Sequence, residues 1–283
     1  MAYARADALV STDWLARRLG EAGVRPVDAT WYMPNQPRMG RQDYDERHIP
    51  GAVFWDIDAI ADPASGLPHM LPTEARMAEA MAELGIGTET HVVVYDSFGM
   101  MSAARVWWTL RAFGHGKVAV LDGGMAKWLA EGRAVETTPP RPSRARFTAR
   151  LDPRLVRSLE EVRANIARKH EQVLDARSAG RFCALEPEPR PNCRPGHIPG
   201  SLNLPFTELI DAKSKTMLPA DQLAKKFLEA GIDPKRPVVT SCGSGITACV
   251  LALGLHLLGC DNVAVYDGSW TEWGGRQDTP IEP

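Results

Sequence analysis

Val238-Val239-Thr240-Ser241-Cys242-Gly243-Ser244-Gly245-Ile246-Thr247-Ala248-Cys249 is the stretch that decides how the chain is read. An apolar, β-favouring run meets a glycine-rich pentapeptide and continues into the apolar segment Val250 to Leu258. That is the pattern of a strand, a tight loop and a helix. The cysteine stands at the strand's end, and two glycines in the next three positions let the backbone close round it. Loops of this kind turn successive backbone N–H groups inward, and the following helix adds the positive end of its dipole at the same spot. Such a cradle favours an anion, so Cys242 is expected to react as a thiolate. Taken alone, the same spacing also suits an ordinary buried cysteine beside a turn.

Working outward, the passage proves to have a counterpart. At a constant offset of 145, Val93–Val94 align with Val238–Val239, Gly114 with Gly259, Asp122 with Asp267 and Trp128 with Trp273. The tetrapeptide His48-Ile49-Pro50-Gly51 returns as His197-Ile198-Pro199-Gly200, each time ahead of a short apolar strand. A repeat of this length is a duplicated domain, since solenoid units are shorter. Within each copy, apolar strands alternate with amphipathic helices. In the first, segments resembling strands cover Arg25–Ala29, Val53–Trp55, His91–Tyr95 and Lys117–Leu121, and helices cover Ser11–Ala22, residues 73–84 and Ser102–Phe113. In the second, strands fall at Gln172–Asp175, Leu202–Leu204, Pro237–Ser241 and Val263–Tyr266, and helices at Leu159–His170, Pro219–Ala230 and Ile246–Leu258. This rhythm predicts an α/β fold of two domains, each a mainly parallel sheet with helices on both faces. Arg133 to Arg150 is proline-rich without apolar period and reads as a semi-rigid linker. The boundaries are set at 1–135, 136–155 (linker) and 156–283. At the offset of 145 Cys242 corresponds to Ser97, so only the second copy is equipped for thiol chemistry.

Composition excludes several classes. The 283 residues are 44% hydrophobic and 24% charged with a net charge of −2, ordinary values for a globular protein. Nothing in that charge favours nucleic acid or an anionic membrane surface. The opening residues lack a long apolar core, so neither signal peptide nor membrane anchor is expected. Five cysteines at irregular spacing fit neither a disulfide framework nor a zinc site, and reduced cytoplasm is the expected compartment. No dinucleotide or phosphate-binding glycine motif occurs, so no cofactor or metal is expected.

The paired HIPG elements, the CGSGIT loop and the closing Tyr266-Asp267-Gly268-Ser269-Trp270-Thr271-Glu272-Trp273 resemble the tandem-domain rhodanese family of sulfurtransferases, and within it those acting on 3-mercaptopyruvate. The resemblance runs from about Asp13 to the C-terminus. It implies two rhodanese-like domains, the first without a nucleophile, and sulfur transfer from 3-mercaptopyruvate through a Cys242 persulfide to cyanide or a thiol such as thioredoxin or a small thiol, releasing pyruvate. Loop N–H groups from Gly243, Gly245, Ile246 and Thr247 would bind the thiolate and persulfide. Ser244 would add a hydroxyl toward the reacting sulfur or the substrate carbonyl, and Thr247 would steady the loop. Arg181 and Arg190 match the family's substrate-binding pair, whose planar forks suit a carboxylate. His48 is a candidate to protonate the departing pyruvate enolate, oriented by an acid such as Asp43. His197 reads as a turn residue, while Arg105 and Arg111 are not assigned to the cleft.

Three alternatives are weighed. Thiosulfate as donor would call for cations directly after the cysteine, where Gly243 and Ser244 stand instead. A phosphatase with the same cradle needs an arginine six residues after the cysteine, a place held by Ala248. A non-catalytic tandem binding module would have no reason to keep the glycine loop. Cys249 and Cys260 read as core, and Cys183 and Cys193 as loop thiols.

Overall fold

Two five-stranded parallel sheets carry the chain, and a computed structural model describes residues 2–33 and 35–283. The first half contains β1 (Leu9–Val10), α1 (Thr12–Ala16), β2 (Val24–Asp28), α2 (Gly40–Glu46), β3 (Val53–Phe54), α3 (Ile57–Ile60), α4 (Glu74–Glu83), β4 (His91–Tyr95), α5 (Met101–Ala112), β5 (Val118–Leu121) and α6 (Gly124–Ala130). The second repeats the plan with β6 (Val156–Arg157), α7 (Leu159–Arg168), β7 (Gln172–Asp175), α8 (Ala179–Phe182), β8 (Leu202–Asn203), α9 (Ala220–Glu229), β9 (Val238–Ser241), α10 (Ala248–Leu257), β10 (Val263–Tyr266) and α11 (Ser269–Trp273). Strand order is β1-β5-β4-β2-β3 in one sheet and β6-β10-β9-β7-β8 in the other, the same topology twice. The central strands β5, β9 and β10 are buried along their whole length, as continuous valine-rich runs require when helices cover both faces.

Local signals explain most boundaries. Thr73 caps α4 by accepting from the Arg76 N–H, and Ser158 with Glu161 forms a reciprocal capping box at α7. Three features depart from the sequence reading. The edge strands β1 and β6 have two residues each, too few for any periodicity to show. The polar stretch before His48 holds a helix, α2, with no side-chain cap; its first residue, Gly40, lies so close to the Thr30 carbonyl that no Cβ would fit. The helix expected over Ser11–Ala22 stops at Ala16 and gives way to turns, with Gly20 at φ +86°.

The proline-rich connection is not a free spacer. It lies along the first half through the Ala145 N–H to the Ala82 carbonyl (3.2 Å), the Arg146 carbonyl to the Thr88 N–H (3.3 Å) and the Arg150 N–H to the Phe113 carbonyl (3.2 Å). The halves themselves meet along α5 and α10, whose side chains share one apolar cluster running through both domains. Both helices follow the loop at the end of a central strand, so this packing brings the Cys242 loop up to the first half. Among the described residues no helix is long and apolar enough to cross a membrane.

At the end of β2, Asp28 is 2% exposed, and burial raises its carboxyl to about 6 against the opposing bonds from Thr30. A carboxyl that holds its proton more tightly folded than unfolded weakens the fold as pH rises between those two values. The stability of the native chain should therefore fall from pH 4 to pH 6 through this group. Asp28→Asn should flatten that part of the curve, which urea denaturation at a series of pH values would show.

Candidate active site

Three carbonyls of the Cys242 loop are drawn outward by neighbouring elements. The Cys242 carbonyl accepts from the Trp270 N–H (2.9 Å). Gly243's accepts from the Thr271 N–H (2.8 Å) and from Thr271 Oγ1 (2.6 Å). Gly245's accepts from Arg105 Nη1 (3.1 Å) and from the Cys249 thiol (3.2 Å). In a planar trans peptide the C=O of one residue and the N–H of the next point in opposite directions. Fixing these oxygens outside therefore turns the N–H groups of Gly243, Ser244 and Ile246 to the inside, and no hydrogen bond among the described residues consumes them. The loop predicted from two glycines thus exists, and its amides are aimed by α11 and by a side chain from the other domain.

Gly245 answers to both conformation and space, Gly243 to space alone. Gly245 has φ +78°, and a Cβ there would stand 2.6 Å from the Asp267 carbonyl and 2.8 Å from Arg105 Nη1. A Cβ on Gly243 would stand 3.0 Å from Arg181 Nη2. A side chain at 243 would crowd the end of an arginine from α8, which would have to give way. Cys242 itself is 2% exposed, and its N–H donates to Ser269 Oγ (3.1 Å).

The first copy keeps the same loop with an anion built in. Asp96 accepts from the N–H groups of Phe98 (2.8 Å), Ser102 (2.7 Å) and Ala103 (2.8 Å). At the offset of 145 these positions correspond to Gly243, Thr247 and Ala248. Of these, only the Phe98 amide matches one of the three inward amides of the second copy; the other two open α5. Ser97 lacks sulfur, and its loop has an internal acceptor for one of those amides.

Arg190 and Arg181 both reach the open loop, as expected. Arg190 Nη2 donates to Ser244 Oγ (3.4 Å) and to His69 Nε2 (3.0 Å), while Arg181 Nη2 pairs with Glu188 (2.6 Å). Glu188 also binds Arg177, which in turn grips Asp175 at the end of β7, so a buried ion network fixes the arginine segment. Thr247 is the residue before α10 and makes no side-chain capping bond there.

Among the described residues no hydrogen bond, ion pair or ring contact joins His48 to the Cys242 loop. His48 is fully buried in the first domain, stacked on Tyr44 at 4.1 Å, with Nδ1 at the Tyr44 carbonyl (2.8 Å) and Nε2 3.6 Å from Glu136. Its twin His197 repeats this arrangement with Phe182 and Glu282. Both are fasteners between a turn and the segment that leaves their domain. The partner expected for His48, Asp43, is engaged by Tyr32 and Arg38. The histidine at the loop is His69, on the segment between α3 and α4. Its Nδ1 lies 2.7 Å from Asp58, which also accepts from Trp31 Nε1 (2.9 Å). With Arg190 donating to Nε2, the imidazole proton belongs on Nδ1, facing the carboxylate. Burial lowers the His69 pKa, with Arg105 and Arg190 adding to the effect against the opposing pull of Asp58, so the ring is neutral at neutral pH. One signal was available: Met70-Leu71-Pro72 recurs as Met217-Leu218-Pro219, marking equivalent loops at the domain boundary.

Comparison with known proteins bears on the fold and the relatives of the chain. Residues 11–131 and 158–276 each match the rhodanese-like domain. Thiosulfate/3-mercaptopyruvate sulfurtransferase 1, mitochondrial, of Arabidopsis thaliana is 44% identical over 98% of this chain and 78% of its own length. The human 3-mercaptopyruvate sulfurtransferase is 44% identical over 94% of this chain and 91% of its own. The crystal structure of SseA from Escherichia coli, described as having the rhodanese fold, superposes with a TM-score of 0.85 at 40% identity, covering 93% of this chain and 98% of that one.

Gly245→Ala should place a side chain in left-handed backbone against two neighbours, at a cost of about 1–3 kcal/mol. The expected result is a lower unfolding midpoint together with slower alkylation of Cys242 by iodoacetamide. Unchanged values of both would remove the steric account of the loop.

Proposed function

Because this chain belongs to the rhodanese family, we propose that it transfers sulfane sulfur from 3-mercaptopyruvate, through a persulfide on Cys242, to a thiol or cyanide acceptor. Sulfur transfer is the activity named for its relatives, which match it over nearly the full chain. The observation that supports this donor is the placement of two arginines and a neutral histidine around an open amide cradle with no cation inside the loop. A keto acid bearing one carboxylate suits that set. A compact dianion would gain more from charge next to the sulfur.

The Cys242 thiolate attacks the substrate sulfur, and the carbon–sulfur bond breaks. Its electron pair moves onto C3 and the neighbouring carbonyl as the pyruvate enolate. Arg190 and Arg181 hold the carboxylate and keto oxygen by bidentate contacts. Ser244, beside Arg190, donates to the keto oxygen as negative charge builds there. When Arg190 turns from His69 to the substrate, the freed His69 Nε2 accepts the substrate thiol proton and returns it to C3, while Asp58 holds the ring and stabilises the transient imidazolium. Inward N–H groups of Gly243, Ser244 and Ile246 stabilise the sulfur anion before and after transfer. An acceptor thiolate then attacks the outer sulfur and regenerates Cys242. Thioredoxin or a small thiol as acceptor, cytoplasm as compartment and the domain limits 1–135, 136–155 and 156–283 belong to this proposal; one plant relative is named as mitochondrial.

Incubation with 3-mercaptopyruvate should release pyruvate and add the mass of one sulfur atom to Cys242. His69→Ala should lower kcat on the order of 100-fold, in the usual range for a proton-transferring residue. His48→Ala should leave the chemical step intact and reduce stability instead. A further expectation concerns Arg190→Ala, which should raise KM at least tenfold with little change in alkylation of Cys242. A preference for thiosulfate over 3-mercaptopyruvate in kcat/KM would overturn the choice of donor.

A further inference from the structure

The two domains dock through a pair of similar contacts, offset by one residue on the donor side. Asp267 Oδ2 accepts the Leu71 N–H across the boundary at 2.8 Å, and Asp122 Oδ1 accepts the Met217 N–H at the same distance in the reverse direction. The aspartates occupy matching places in the two copies, so the interface has approximate two-fold symmetry. One side chain breaks it. Arg105, on α5 of the first domain, is 2% exposed and crosses into the second. Its Nη1 donates to Asp267 Oδ1 (2.6 Å) and to the Gly245 carbonyl (3.1 Å), and its Nη2 donates to the carbonyl of His69. At the offset of 145 the matching position on α10 is Val250, so the silent loop receives no such arginine.

We propose that Arg105 is a positioning residue for sulfur transfer: by holding the Gly245 carbonyl outside the loop it aims the Ile246 N–H at the reacting sulfur. The same guanidinium ties the backbone of His69 to that peptide, so one side chain sets the distance between the proton carrier and the anion cradle. The nucleophile-free domain thereby supplies part of the machinery of its partner, and the loop reaches its working form only when the domains are docked. A lysine cannot replace this fork, because one ammonium does not span three acceptors fixed in different directions. This inference rests on the sulfurtransferase reading for its turnover assay and on thiol reactivity alone for its second assay.

The test compares full-length Arg105→Met, Arg105→Lys and Asp122→Ala with the native chain. With 3-mercaptopyruvate and cyanide, Arg105→Met should lose on the order of 100-fold in kcat, the scale of one misplaced oxyanion-hole donor, with KM changed less than about threefold. The pH profile of Cys242 alkylation by iodoacetamide should move to higher pH, an effect that needs no sulfur donor. It would therefore appear even if 3-mercaptopyruvate proved to be the wrong substrate. Arg105→Lys should fold and remain more than about tenfold impaired, which keeps the test open if the methionine variant is unstable. Asp122→Ala breaks the equivalent docking bond away from the Cys242 loop and should keep kcat within about twofold, since no loop amide depends on it. An unshifted alkylation profile in both Arg105 variants, or an Asp122→Ala loss as large as that of Arg105→Met, would overturn the proposal, the latter by assigning the effect to docking alone.

Discussion

A peptide plane has two ends, and this site is governed by what holds the outer one. Trp270 and Thr271 of α11, and Arg105 of the other domain, capture loop carbonyls and so leave amide hydrogens facing inward. Glycine makes the loop conformation accessible, but accessibility is not commitment, since a flexible loop would satisfy its amides with water. The commitment comes from donors built into rigid elements at the end of the sheet. Preorganisation of this kind costs nothing at the moment charge appears on sulfur, because folding has already oriented the dipoles. The positive φ of Ser269, at 48°, belongs to the same arrangement: its hydroxyl accepts from the Cys242 N–H and donates to the Tyr266 carbonyl, locking the second loop beneath the first.

Duplication gives the molecule two such loops and lets them diverge. In the first copy Asp96 supplies the anion internally, and a carboxylate with three amide bonds has no further need of a ligand. That change frees the first domain from chemistry without costing it the loop's structural role at the end of β4. It then serves the second domain by what it sends across the boundary. His69 with Asp58 and Trp31, together with Arg105, all originate in the half that has no cysteine. The contact between copies is thus an asymmetric arrangement made from nearly symmetric parts.

Charge in the site is arranged around the loop rather than inside it. The tip of Arg181 lies beside Gly243, and Glu188 holds it there while also binding Arg177. The buried Arg177–Asp175 pair anchors that network to the sheet. Breaking any member would leave a buried charge unmatched, so the segment from Arg177 to Arg190 behaves as a unit. This is why two arginines flanking a loop of alternating acids and prolines are presented to one cleft.

Much of this was open to the sequence by itself. Alternating apolar runs fixed the α/β class, the 145-residue offset exposed the duplication, and Cys242 with its two glycines marked the anion loop, because strand period, repeat and turn chemistry are all local. Arg181 and Arg190 followed from motif position. The histidine proposed to carry the proton did not: His48 sits in the more conspicuous motif, yet in both copies the histidine before Ile-Pro-Gly is engaged by a backbone carbonyl of the helix before it, Tyr44 or Phe182. The surroundings of His69 and Arg105 emerge only once α5 has packed on α10, since Arg105 meets the Gly245 carbonyl and His69 meets Arg190 across more than a hundred residues of chain. Local pattern determines which elements form and where a nucleophile stands. Tertiary packing decides which distant groups surround it, because a side chain's partners depend on the docking of whole domains and leave no periodic trace in the residues that provide them.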